Sequence, residues 1–82
     1  MITGAQMKAA RALLNLDQRQ LAEISQLSLP TIQRMEASTG TVRGTVESLV
    51  KVIDALRDAG VDLISEGTVS ERGGRGVRLR AE

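Results

Sequence analysis

Residues 17–37, DQRQLAEISQLSLPTIQRMEA, decide the fold of this chain. Asp17 is a helix-capping residue, and Gln20 three positions on completes a capping box. Leu21, Ala22 and Ile24 follow at helical spacing, so one side of the segment is apolar. Ser25-Gln26-Leu27 interrupts that pattern after about two turns, early for a helix to stop without a reason. Ser28 starts a second helix with Pro30 in its first turn, where a missing N–H costs nothing. Ile32 and Met35 give this helix a narrow buried stripe, while Thr31, Gln33 and Arg34 point elsewhere. Two short helices joined by a tight turn form a helix-turn-helix. On periodicity alone, an αα-corner of a small bundle fits the same residues.

Composition removes several function classes. The 82 residues suit one domain with a single modest core. Cysteine is absent, so the expectation is a reducing cytoplasm with no disulfide, thiolate metal site or thiol nucleophile. Histidine is also absent, which removes imidazole ligands and imidazole acid–base chemistry. No metal or cofactor is therefore expected, and no enzyme, because the carboxylates are scattered. Without Phe, Tyr or Trp the chain cannot stack single-stranded bases. Neither a signal peptide nor a membrane-length apolar run is present. The net charge of +1 requires a nucleic-acid binder to gather its basic residues on one face.

The opening stretch closely resembles the DNA-binding motif of the phage repressor/Cro-like (XRE-type) family. Gln18, Leu21-Ala22, Leu27-Ser28, Ile32 and Glu36 carry the resemblance, which extends over residues 3–60. It implies a mainly α, four-helix lambda-repressor-like DNA-binding domain at 1–60, followed here by a short C-terminal β-hairpin at 61–82. One departure stands out: the family often places Gly in the turn, where the backbone turns left-handed, and this chain has Gln26. A non-Gly residue there costs on the order of 1 kcal/mol, so a slightly strained turn is expected.

Taken in order, Thr3 and Gln6 form a capping box, with Ile2 and Met7 at hydrophobic-staple spacing. A helix therefore begins near residue 4, burying Met7, Ala10, Leu13 and Leu14, and Asn15 suits its left-handed C-cap. The resemblance pairs Arg11 with Glu36; the alternative is a solvated charge. Ser38–Gly44 is a loop, with Gly40 suited to the C′ position of the preceding helix. Thr41 and Arg43, with the next helix start, can hold a phosphate, or the loop is a plain connection. Thr45 caps the longest helix, whose stripe of Val46, Leu49, Val50, Ile53 and Leu56 ends at Gly60. Beyond Gly60 the period becomes alternating, so 61–64 and 77–80 are predicted strands. SEGTVSERGGRG joins them as a mobile loop. The arginines of the tail, Arg72, Arg75, Arg78 and Arg80, keep an edge soluble or add a basic contact.

If the second motif helix enters the major groove, Leu29, Pro30, Thr31, Gln33 and Arg34 face the bases. Arg34 fits a guanine's O6 and N7, Gln33 fits adenine, and Leu29 and Pro30 fit thymine methyls. The resemblance implies a phosphate contact for Gln18; Lys8, Arg19, Ser28, Thr41 and Arg43 complete the backbone set. Val61, Leu63, Val77 and Leu79 form an apolar strand face that a second copy can cover as a dimer, unless the chain's own core covers it. The expected function is a homodimeric transcriptional regulator on a palindromic double-stranded site. The alternative, from another class, is the antitoxin of a toxin–antitoxin pair. Its partner would be a protein such as the toxin; RNA polymerase is a further candidate partner.

Overall fold

A computed structural model describes residues 2–64 and 73–80. The order is α1 (Gly4–Leu14), α2 (Gln18–Ser25), α3 (Leu29–Glu36), α4 (Val46–Asp58), β1 (Val61–Ile64) and β2 (Gly76–Leu79). Each helix starts where a polar side chain caps it. Thr3, Asp17, Ser28 and Thr45 each accept a hydrogen bond from the backbone N–H three residues on. Thr3 with Gln6 and Asp17 with Gln20 close full capping boxes. α1 stops at Asn15 (φ 57°) and α2 at Gln26 (φ 58°), both left-handed, so the tight turn does carry its strain on Gln26. α4 stops at Ala59, and Gly60 follows at φ +110°.

The core lies where α1, α2, α3, α4 and the hairpin converge. Met7, Leu21, Ile32, Met35, Val52, Leu56 and Val61 are its largest fully buried side chains. Each contributes roughly 1.5–3 kcal/mol of transfer free energy. Ile2 and Ala10 complete the part contributed by the N-terminal segment and α1.

Several expected positions differ: among them, Ile24 of α2 is 45% exposed, and β2 starts at Gly76, one residue before the predicted strand. Leu13 is half-exposed, because only Met7 and Ala10 of α1 sink fully into the core and Leu14 packs partly on it. On α4 the buried row is Leu49, Val52 and Leu56, leaving Val46 74% and Val50 45% exposed. Apolar residues at 46, 49, 50, 52, 53 and 56 span more than one helix face, and tertiary packing selects the one through Val52. Gly40 (φ +75°) is not the C′ residue of α3. That helix already ends at right-handed Ala37, and Gly40 turns the loop beyond it.

β1 and β2 pair antiparallel, Val61 with Leu79 through Ile64 with Gly76. Val61 is fully buried and Leu63 and Val77 pack on the core, so the chain's own helices cover the inner strand face. This corrects the expectation that a second chain covers it; only Leu79, 51% exposed, stays largely outside. On the outer face Asp62 pairs with Arg78 at 3.2 Å and Arg80 at 3.3 Å. Arg80 also donates to the Arg57 carbonyl near the end of α4. The expected mobile loop falls largely on residues 65–72, which with Arg72 lie outside the described residues.

Candidate nucleic-acid interface

α3 is held from below and open above. Ile32 and Met35 are sunk in the core, while Pro30, Gln33 and Arg34 are exposed and Leu29 and Thr31 half-buried. At its start the Ser28 hydroxyl accepts from the Thr31 N–H at 3.3 Å and shares a 2.8 Å hydrogen bond with the Thr31 hydroxyl. The first turn is thereby fixed, and its Pro30 adds stiffness.

The far end of α3 is anchored by a buried charge. Glu36 Oε2 accepts from Arg11 Nε at 2.7 Å and Oε1 accepts from Arg11 Nη2 at 2.8 Å, a bidentate fork. The Glu36 side chain is 1% exposed and that of Arg11 21%. Arg11 Nη1 also donates to the Leu16 carbonyl at 3.2 Å, tying the corner between α1 and α2. The hydrogen bond to Glu36 raises the Arg11 pKa above its ordinary value, burial opposes this, and the Glu36 and Asp17 charges raise it further.

Gln18 belongs to the same network. Its Nε2 donates to Glu36 Oε1 at 3.1 Å, so one of its two N–H groups is spent inside the protein. A phosphate can take the other. The sequence holds no signal for this bond, because the spacing of 18 between the two residues crosses two elements.

Lys8 on α1, Arg19 on α2, Arg34 on α3 and Arg43 in the following loop are all exposed. None has an acidic partner within ion-pair distance among the described residues. They contrast with Arg11, Arg78 and Arg80, whose charges are met internally. The loop carrying Arg43 is fastened on two sides. Thr41 bridges Thr3, with Gly4 N–H to Gly40 O at 3.3 Å and Val42 N–H to Ile2 O at 2.9 Å. Ser38 Oγ donates to the Arg34 carbonyl at 3.4 Å and accepts from the Arg43 N–H at 3.5 Å.

Elsewhere, an open cleft of 280 Å³ between α1 and β2 is lined by Ala5, Ala9 and Val77 with Thr3, Gln6 and Arg75. Among the described residues its lining holds no acid–base pair. Among the described residues no group of three acidic side chains is placed to hold a metal ion. No helix among them is long and apolar enough to cross a membrane.

Four helices with the second and third joined by a strained tight turn, an anchored third helix and free cations around it define a small helix-turn-helix DNA-binding domain. A helix-turn-helix family model matches residues 7–57, and the chain belongs to that phage repressor/Cro-like (XRE-type) family. It is accordingly a DNA-binding transcriptional regulator. No curated protein matches the sequence.

Proposed function

We propose that this regulator acts as a homodimer on a (pseudo)palindromic duplex, with α3 lying in the major groove of each half-site. The observation that carries this reading is the division of α3: Ile32 and Met35 fix it while Pro30, Gln33 and Arg34 stand free. Arg34 forks onto a guanine and Gln33 pairs with an adenine. Leu29, Pro30 and Thr31 sit against neighbouring base edges. Lys8, Gln18, Arg19, Ser28, Thr41 and Arg43 hold the sugar-phosphate backbone and so set register.

The dimer contact is assigned to the hairpin's hydrogen-bonding edge together with Leu79. Arg80 N–H donates to Gly60 O at 2.8 Å, so by antiparallel alternation the 62–78 and 64–76 pairs exchange bonds. The backbone groups of Val61, Leu63, Val77 and Leu79 then turn outward, where an edge of a two-fold related copy can pair with one of them. Selecting bound sequences from random duplex DNA with the purified chain tests the reading: a palindromic consensus supports it, and recovery without any consensus refutes it.

An antitoxin function is the second reading, and the bare α4 face of Val46 and Val50 favours it, since paired apolar side chains suit a protein partner. A toxin retained on the immobilised chain, and lost with Val46→Asp, would establish it.

A further inference from the structure

Gln6 is a heavily committed side chain away from the DNA-facing helix. Its Oε1 accepts from the Thr3 N–H at 2.9 Å, the capping-box bond. Its Nε2 donates to two carbonyls far away in sequence, Ile64 O at 3.0 Å and Gly76 O at 2.9 Å. Ile64 and Gly76 are register partners at the mouth of the hairpin. Their backbone groups already bond each other across the strands, so Gln6 takes the second lone pair of each carbonyl. One buried amide thus clamps both strands to the first turn of α1.

From Thr3 the hydrogen bonds continue to the loop beyond α3. Thr3 caps α1 and pairs with Thr41, and its neighbours Gly4 and Ile2 bond Gly40 and Val42. Hairpin mouth, Gln6, the Thr3 cap and the loop bearing Thr41 and Arg43 form one unbroken series.

We propose that Gln6 is a positioning residue for that loop, acting through Thr3, and that it couples hairpin docking to DNA-backbone contact. The proposal rests on the DNA reading above. With the hairpin clamped, residues 2–4 are held and the loop is ordered before a phosphate arrives, so less freedom is lost on binding. The coupling runs both ways: a phosphate on the loop holds residues 2–4, and through Gln6 it steadies the hairpin.

The chemistry at position 6 allows the roles to be separated. A capping box accepts Glu as well as Gln at its third residue, but only an amide offers donors to Ile64 and Gly76. Gln6→Glu therefore keeps the α1 cap and sets a carboxylate against two carbonyl oxygens. The test is amide hydrogen exchange on the full chain, with and without a duplex recovered from the random pool, alongside duplex affinities. In the parent, bound duplex should slow exchange at Ile64 and Gly76 by about tenfold, a typical coupling. In Gln6→Glu those amides should exchange faster, and the duplex should no longer slow them. Affinity should fall by about five- to tenfold on every duplex alike, with base preference unchanged. Acidification that protonates the new carboxyl returns one donor and should restore part of the hairpin protection, which a merely structural defect would not do. Parent protein whose hairpin exchange ignores bound duplex overturns the coupling, and this measurement decides the matter even if Gln6→Glu fails to fold. Parental affinity in a folded Gln6→Glu overturns it too. Failure of the parent to bind any duplex overturns the DNA reading itself, and the coupling with it.

Discussion

Gly4 and Glu36 approach so closely that a Cβ on Gly4 would lie 2.7 Å from the Glu36 carbonyl oxygen and 2.9 Å from that of Ser38. Both obstacles are backbone, so neither can swing aside. The start of α1 is the seat on which the end of the DNA-facing helix rests. Gly4→Ala must push the two apart, and overpacking of this kind costs about 1–3 kcal/mol. A thermal melt should show the loss, and the displaced α3 should also weaken duplex binding. Parental stability in Gly4→Ala would mean that the seat gives way freely.

Glu36 also holds three side-chain hydrogen bonds, two from Arg11 and one from Gln18. Its removal strands a guanidinium that is mostly buried, and breaking such a pair costs about 3 kcal/mol, somewhat less here because water reaches one side of Arg11. For a domain this small, Glu36→Ala should lower the melting temperature by about 10 °C or more. Since the pair raises the Arg11 pKa, Arg11's share of the stability is present at neutral pH. It is lost as pH rises through that raised, strongly alkaline value. An unchanged melt would contradict the buried-pair account.

Gln26 holds the turn at φ 58° with an ordinary side chain. Gly removes the clash but adds freedom to the unfolded chain, so Gln26→Gly should stabilise by less than about 1 kcal/mol. Urea unfolding of the two proteins checks the sign. Destabilisation would show that the Gln26 side chain contributes something beyond strain.

Much of the fold was legible because caps are local chemistry. Thr3, Asp17, Ser28 and Thr45 announce four helix starts, and Asn15 and Gly60 mark two stops, within a few residues of sequence. The alternating period of 61–64 and 77–80 likewise announces strands, the second of which the structure places one residue earlier, at Gly76–Leu79. The facing of α4 was not legible. Its apolar residues outnumber the positions its neighbours can cover, and the choice of Val52 over Val46 and Val50 is made by long-range packing. The Gly4 contact, the Gln18–Glu36 bond and the hold of Gln6 on Ile64 and Gly76 all join residues distant in sequence, where periodicity carries no information.

Leu79→Glu tests the dimer contact without opening the core, because Leu79 is already half outside. The melt should fall only by what dimerisation itself supplies, and should lose the parent's dependence on protein concentration. Sedimentation should show the parent as a dimer and Leu79→Glu as a monomer. A variant that still dimerises as the parent does would move the contact elsewhere, with the Val46–Val50 face of α4 next in line.

Arg34 and Arg43 should differ in kind. Arg34→Ala should relax choice at one base pair per half-site, at a cost of about 1–3 kcal/mol, while Arg43→Ala weakens all duplexes alike. A panel of single-base changes in the selected site separates the two. Uniform loss from Arg34→Ala with preference intact would make Arg34 a backbone contact.

The most direct test of the central claim, that α3 reads duplex sequence while the surrounding cations hold its backbone, is affinity for the selected duplex and a scrambled one over a range of salt concentrations. Lys8, Arg19 and Arg43 from two subunits neutralise roughly six phosphates, so log K should fall with log salt at a slope of about −5. At physiological salt the selected duplex should bind at least about a thousandfold more tightly than the scrambled one. Equal affinity for the two duplexes, or a slope near zero, would contradict the account.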